Sequence, residues 1–171
     1  MGDGLGNDNV TSAFVSGSTV YVSTSAGEFY TAFVVRKVDG VWGQAELLDM
    51  SALVQSPSPE SGLVGLACAG RGACVVAGYY NGASRYEAFT VVLSSGVWGA
   101  AQPVTFPAGM RATTGSGEEW LSHVTCVPGG SCVVVGNFPP AGAPSGLRVF
   151  TMTVTGLGAV PPAPVSPTYT G

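Results

Sequence analysis

At 171 residues the chain has room for one ordinary domain or a few small units sharing a core, burying about 70% of its unfolded surface. Charged residues make up only 9% and the net charge is −4, which argues against nucleic acid, whose phosphates call for clustered Lys and Arg. No apolar run approaches the ~18 residues of a membrane-spanning helix, and no charged segment followed by an apolar one marks a leader, so a secreted form would have had its leader removed.

Residues 1–8 read as a flexible N-terminus. Within them and just beyond, Gly4-Leu5-Gly6-Asn7-Asp8-Asn9-Val10 resembles one turn of a Gly-rich Ca²⁺-binding nonapeptide repeat. That motif works by stacking several copies, so a single copy is expected to be a turn and no metal is assigned. From residue 9 the chain repeats itself three times with a period of about 55 residues. The repeats span 9–49, 62–106 and 119–165, and 166–171 is a Pro-rich tail. Cys68 and Cys74 of the second repeat match Cys126 and Cys132 of the third, and Phe14 and Val20 of the first. Phe33, Phe89 and Phe150 also coincide. Trp42 and Trp98 follow two of them inside identical Gly-Val-Trp-Gly segments, whereas the third repeat has Ala159 at that place.

Each repeat reads as four short strands. In the second they fall at 63–69, 73–80, 86–93 and 97–104. Alternation and β-branched content favour strands over helices. Gly and Asp-Gly or Ser-Gly pairs between the first and second, and the third and fourth, supply hairpin turns. The second-to-third connections and those between repeats are longer. Because strand direction alternates, the long connections gather at one end, where binding residues usually sit. The Trp residues, recurring at one repeat position, are expected between sheets.

The cysteines form two pairs spaced six apart, without the C-x-x-C spacing of zinc or redox sites. Six apart across a tight turn places Cys68 opposite Cys74, and Cys126 opposite Cys132. That is near enough for disulfides, with buried free thiols as the alternative. Disulfides imply an oxidising, extracellular setting.

The pattern Cys-x5-Cys-Val-Val-x-Gly-Tyr-Tyr, then Ala-Phe-Thr-Val-Val, then Gly-Val-Trp-Gly, resembles a repeat of secreted actinobacterial proteins of β-propeller type. The resemblance implies an all-β fold of three tandem four-stranded antiparallel repeats, one per propeller-type blade. It implies no particular activity. A β-trefoil or β-prism, each built of three four-stranded units, is the alternative. Propellers close with about 4–8 blades, so three blades call for a homo-oligomer or a longer chain.

Candidate site residues lie at the long-loop end. Tyr79, Tyr80, Asn81, Arg85 and Tyr86 of the second repeat, with Asn137 and Phe138 of the third, combine aromatic faces with polar groups, as glycan or protein recognition requires. By alternation about half of them should face the core. Glu60 and Glu118 precede their cysteines by eight residues and, with Glu119, could contact a ligand, hold Ca²⁺ or serve glycoside hydrolysis. The blander reading is solvated loop charge. His123, the single His, has no nucleophile elbow near it and is read as structural. No catalytic set and no cofactor are assigned. The Asp39-Gly40-Val41-Trp42 turn resembles the Asp-box of sialidase-like propellers but lacks its Ser and Thr, so that activity is not carried over. The expected function is a secreted, non-enzymatic binding module for a glycan or protein. The alternatives are a structural or decoration subunit of an extracellular or phage-type assembly and, more weakly, a carbohydrate-active enzyme.

Overall fold

A computed structural model describes residues 9–16, 19–26, 31–53, 60–70, 72–106, 108, 119–142, 146–155 and 157; up to residue 31 the description is of the backbone. The described residues are all-β, with three antiparallel sheets and no helix. Sheet 1 is the meander β1 (Asn9–Ser16), β2 (Thr19–Ala26), β3 (Thr31–Val38), β4 (Val41–Leu47). Sheet 2 runs β5 (Ser61–Gly70), β6 (Ala73–Asn81), β7 (Tyr86–Ser94), β8 (Val97–Trp98), with β9 (Gln102–Pro103) also paired to β7. Sheet 3 is β10 (Trp120–Cys126), β11 (Cys132–Phe138), β12 (Arg148–Val154). The N-terminal segment 1–8, Glu118, the tail and most of the stretch that would hold a fourth strand of the third repeat lie outside the described residues.

The ladders of the three sheets each stay within one repeat, and a parallel bridge joins Asp49 of the first repeat to Ala100 of the second. A trefoil would need strands of different repeats to share a barrel; among the described residues none is closed. The hairpins follow the local chemistry. Asp39 and Gly40 have φ of 48° and 84°, and Ser95 and Gly96 have 51° and 82°. Two successive positive φ values make the type I′ turn that matches strand twist. The first hairpins of repeats 2 and 3 are each closed by a disulfide, Cys68–Cys74 and Cys126–Cys132, at directly paired positions with Cα atoms 3.9 Å apart.

The strand expected at 97–104 is split in two. After Trp98, Gly99 N–H donates to Val92 O (2.9 Å), and Ala101 N–H then donates to Asp49 O (2.7 Å) in the preceding repeat. The chain leaves its own ladder there to stitch sheet 2 to sheet 1, and rejoins β7 only at Gln102 and Pro103.

Sheet 2 lies between the other two and is buried on both faces, which is why β5 and β6 read as almost continuous apolar runs. Toward sheet 1, Leu66, Cys68, Cys74, Val76, Phe89 and Leu93 pack with Ala32 and Val34. Toward sheet 3, the small residues Ala67, Ala73, Val75, Ala77 and Ala88 pack with Leu121, Val124, Cys132 and Val134. Gly78 and Gly136 sit opposite Phe89 and Phe150 in their ladders. A Cβ on Gly136 would lie 2.5 Å from Trp120 O and 2.7 Å from the Phe150 ring, so the ring takes the volume a side chain would fill.

Candidate functional site

At the long-loop end of sheet 2, three connections are laced together through the backbone. Asn81 N–H donates to Glu60 O (2.8 Å), Gly82 N–H to Arg85 O (2.8 Å), and Glu119 N–H to Tyr86 O (3.2 Å). The approach to β5, the loop from β6 to β7 and the approach to β10 therefore form one rim. Onto it converge the side chains of Tyr79, Tyr86 and Trp120. The Tyr79 and Tyr86 ring centroids are 5.6 Å apart at 87°, Tyr79 and Trp120 are 5.1 Å apart at 61°, and Tyr86 and Trp120 are 5.9 Å apart at 32°. Such edge-on and tilted contacts are the favoured aromatic geometries. The Tyr79 ring lies over Gly62, where no Cβ would fit.

The polar groups follow the rings. Tyr86 O–H donates to Glu60 Oε2 at 2.9 Å, which fixes the phenol and leaves Glu60 half-buried at the rim. Glu119 is fully buried beneath, accepting from Ala88 N–H at 3.4 Å. Tyr80 points to the opposite face of β6, as alternation requires. It packs 6.2 Å from Phe89, with its hydroxyl donating to Glu87 Oε2 at 2.5 Å. Glu87 also pairs with Arg85 Nε at 3.9 Å.

Of the residues expected at a site, Glu60, Tyr79, Asn81, Tyr86 and Glu119 are thus brought together. Tyr80 and Arg85 support the same loop from the sheet 1 side. Asn137 lies opposite Trp120 in the β10–β11 ladder, half-buried. Phe138 is elsewhere: it is buried against Phe106 (4.9 Å) and Phe150 (6.0 Å), beside an apolar cleft of about 500 Å³ along β12. Glu118 lies outside the described residues.

Trp120 and Glu87 were not among the expected residues. Trp120 carried a usable signal, since it is the one Trp of three that does not fall in a Gly-Val-Trp-Gly segment. A residue that breaks the repeat is freed from the repeat's packing role. His123 is exposed on β10, and Ser122 beside it donates its hydroxyl to Val135 O at 3.2 Å. Among the described residues, no three His, Cys, Asp or Glu side chains come together as a metal ion would need. Comparison with protein-family models, curated proteins and solved structures returns no match.

Proposed function

We propose that the chain is a secreted, non-enzymatic binding module of propeller-type blades that recognises a glycan through the Tyr79–Tyr86–Trp120 rim. The carrying observation is the convergence of three rings from two sheets beside a Glu60 carboxylate already oriented by Tyr86. Aromatic rings offer wide apolar contact at low entropic cost, suited to the C–H faces of a sugar. The Glu60 carboxylate can bond its hydroxyls. Every contact within the rim is pre-formed, which limits the ordering cost of binding. The two disulfides support an extracellular setting. On this reading a homo-oligomer, or further blades of a longer chain, completes the ring.

A glycan array followed by calorimetry tests the assignment. Trp120→Ala should weaken binding by at least about tenfold, and Tyr86→Phe, which keeps the ring but frees Glu60, by less. Phe138→Ala should lower stability and leave affinity unchanged. Absence of any glycan ligand, with capture of a protein through the same residues, would overturn the glycan assignment.

The structural-subunit reading draws on a different observation: Trp42, Leu47 and Val149 are large apolar side chains left exposed on strand faces.

A further inference from the structure

The two junctions inside the chain are the same junction made twice. Each sheet has a large-residue face and a small-residue face. At the first junction the large face of sheet 2 (Leu66, Cys68, Val76, Phe89) packs on Ala32 and Val34 of sheet 1. At the second, the large face of sheet 3 (Val124, Cys132, Val134, with Phe150) packs on Ala67, Val75, Ala77 and Ala88 of sheet 2. The residues correspond one for one through the repeat: Val124 to Leu66, Cys132 to Cys74, Val134 to Val76, Phe150 to Phe89, and Ala88 to Ala32.

That rule leaves two faces uncovered, one at each of the two places in the repeat that pack together inside the chain. Because Ala32 and Val34 of sheet 1 face sheet 2, Phe33 and Val35 face the other way, and Leu47 and Ala45 pair with them across β4. This is a large-residue face. On sheet 3 the uncovered face carries Val133, Val135 and Val149, the counterparts of Val75, Ala77 and Ala88. By its place in the repeat this is the counterpart of the small-residue face of sheet 2, with valine at two of its alanine positions. Val149 is 71% exposed although its counterpart Ala88 is fully buried, and Leu47 is likewise 71% exposed. Among described strand residues on the two faces, Lys37 and His123 alone are ionisable.

We propose that the open face of sheet 1 docks on the open face of sheet 3 of a second copy of this chain, and reciprocally, so that two chains close one ring of six sheets. The missing contact would repeat, at equivalent places in the repeat, a junction the chain already makes twice. Six sheets fall within the ~4–8 blades of closed propellers. A head-to-tail contact that closes yields a discrete ring rather than a fibre, and two copies meet at both open faces simultaneously. The inference rests on the blade reading of the sheets and is independent of the glycan.

The test is the mass of the full chain by analytical ultracentrifugation, with one variant on each face. The wild type should sediment as a two-chain species. Leu47→Glu and Val149→Glu should each weaken it at least about tenfold, because each sets a carboxylate in an apolar contact. Both positions are exposed in the single chain, so its fold should be kept, as circular dichroism would report. Mixing the two variants should restore dimers, because a mixed pair has one junction damaged on both sides and one intact. A contact joining like faces would instead spare one variant and show no rescue, which overturns the proposal. So does a wild type that stays a single chain at every concentration. The blade reading is checked separately by Ala77→Arg, which should unfold the chain through the internal sheet 2–sheet 3 junction whether or not dimers form.

Discussion

Two hairpins share the residues Gly-Val-Trp-Gly and sit in different surroundings. Val41 and Val97, which flank the turns, are 72% and 71% exposed. The ladders agree as well, with Val38 opposite Val41 and Lys37 opposite Trp42, and Ser94 opposite Val97 and Leu93 opposite Trp98. The tryptophans part company: Trp98 is half-buried against the core between sheets 1 and 2, while Trp42 is 52% exposed with Lys37 Nζ 5.1 Å above its ring. Similar local chemistry, Asp39-Gly40 and Ser95-Gly96, produces the same turn. What covers the strand face is decided by the neighbouring repeat. Lys37 stands where Leu93 stands in the second repeat. Its long apolar stem and charged end allow a face to tolerate water in the single chain and contact in an assembly.

Exchanging those two residues breaks the comparison most sharply. Leu93 is 2% exposed, so Leu93→Lys places an unpaired cation in the first junction and should destabilise the chain by about 4 kcal/mol or more. A fall in the urea midpoint with an unchanged slope would register it. Lys37→Leu should leave the single chain's stability within about 0.5 kcal/mol and strengthen self-association. If Leu93→Lys were tolerated, the first junction would not be a packed core.

The tryptophans themselves give a smaller contrast. Trp98→Ala removes a ring packed at a junction and should cost about 2–3 kcal/mol, somewhat below a fully buried Trp. Trp42→Ala should cost less than about 1 kcal/mol, the scale of an exposed cation–π contact. Equal losses, measured by thermal unfolding at a concentration where the chain is single, would mean that Trp42 is covered as well.

How much of this was legible in the sequence follows from the range of the forces involved. Hairpins and cysteine pairing are set within a few residues. Spacing and turn chemistry therefore placed β5, β6 and β7 within a few residues and paired Cys68 with Cys74 and Cys126 with Cys132. Both tryptophans were expected between sheets, and Trp42 departs because, among the described residues, no sheet covers its face of sheet 1. The split of the last strand into β8 and β9 was invisible for a similar reason: Ala101 bonds to Asp49, a partner supplied by the preceding repeat. Within the rim, Tyr79, Tyr86 and Glu60 stood out by residue type and loop position. Phe138 is also aromatic and stands at the position equivalent to Tyr80, yet it joins a three-Phe cluster because Phe106 arrives from the preceding repeat's exit.

The smallest effect probes the backbone stitch at the first junction. Asp49 offers its carbonyl to Ala101 N–H (2.7 Å), while its carboxylate accepts from Ser51 N–H (3.0 Å). The Ser51 side chain, then the Ser51 backbone N–H, hold the carboxyl below its ordinary value near 3.8. A carboxyl whose folded pKa is lowered stabilises the folded state above the unfolded pKa and loses that contribution as pH falls through the folded value. Asp49→Asn keeps an acceptor and removes only the charge, so its melting temperature should lie slightly below wild type near neutral pH. The gap should narrow as pH drops below the ordinary carboxylate range and vanish once the native carboxyl is protonated. A gap that stays constant with pH would assign the difference to altered packing of the stitch rather than to the carboxylate, and would leave Asp49's role at the junction purely a backbone one.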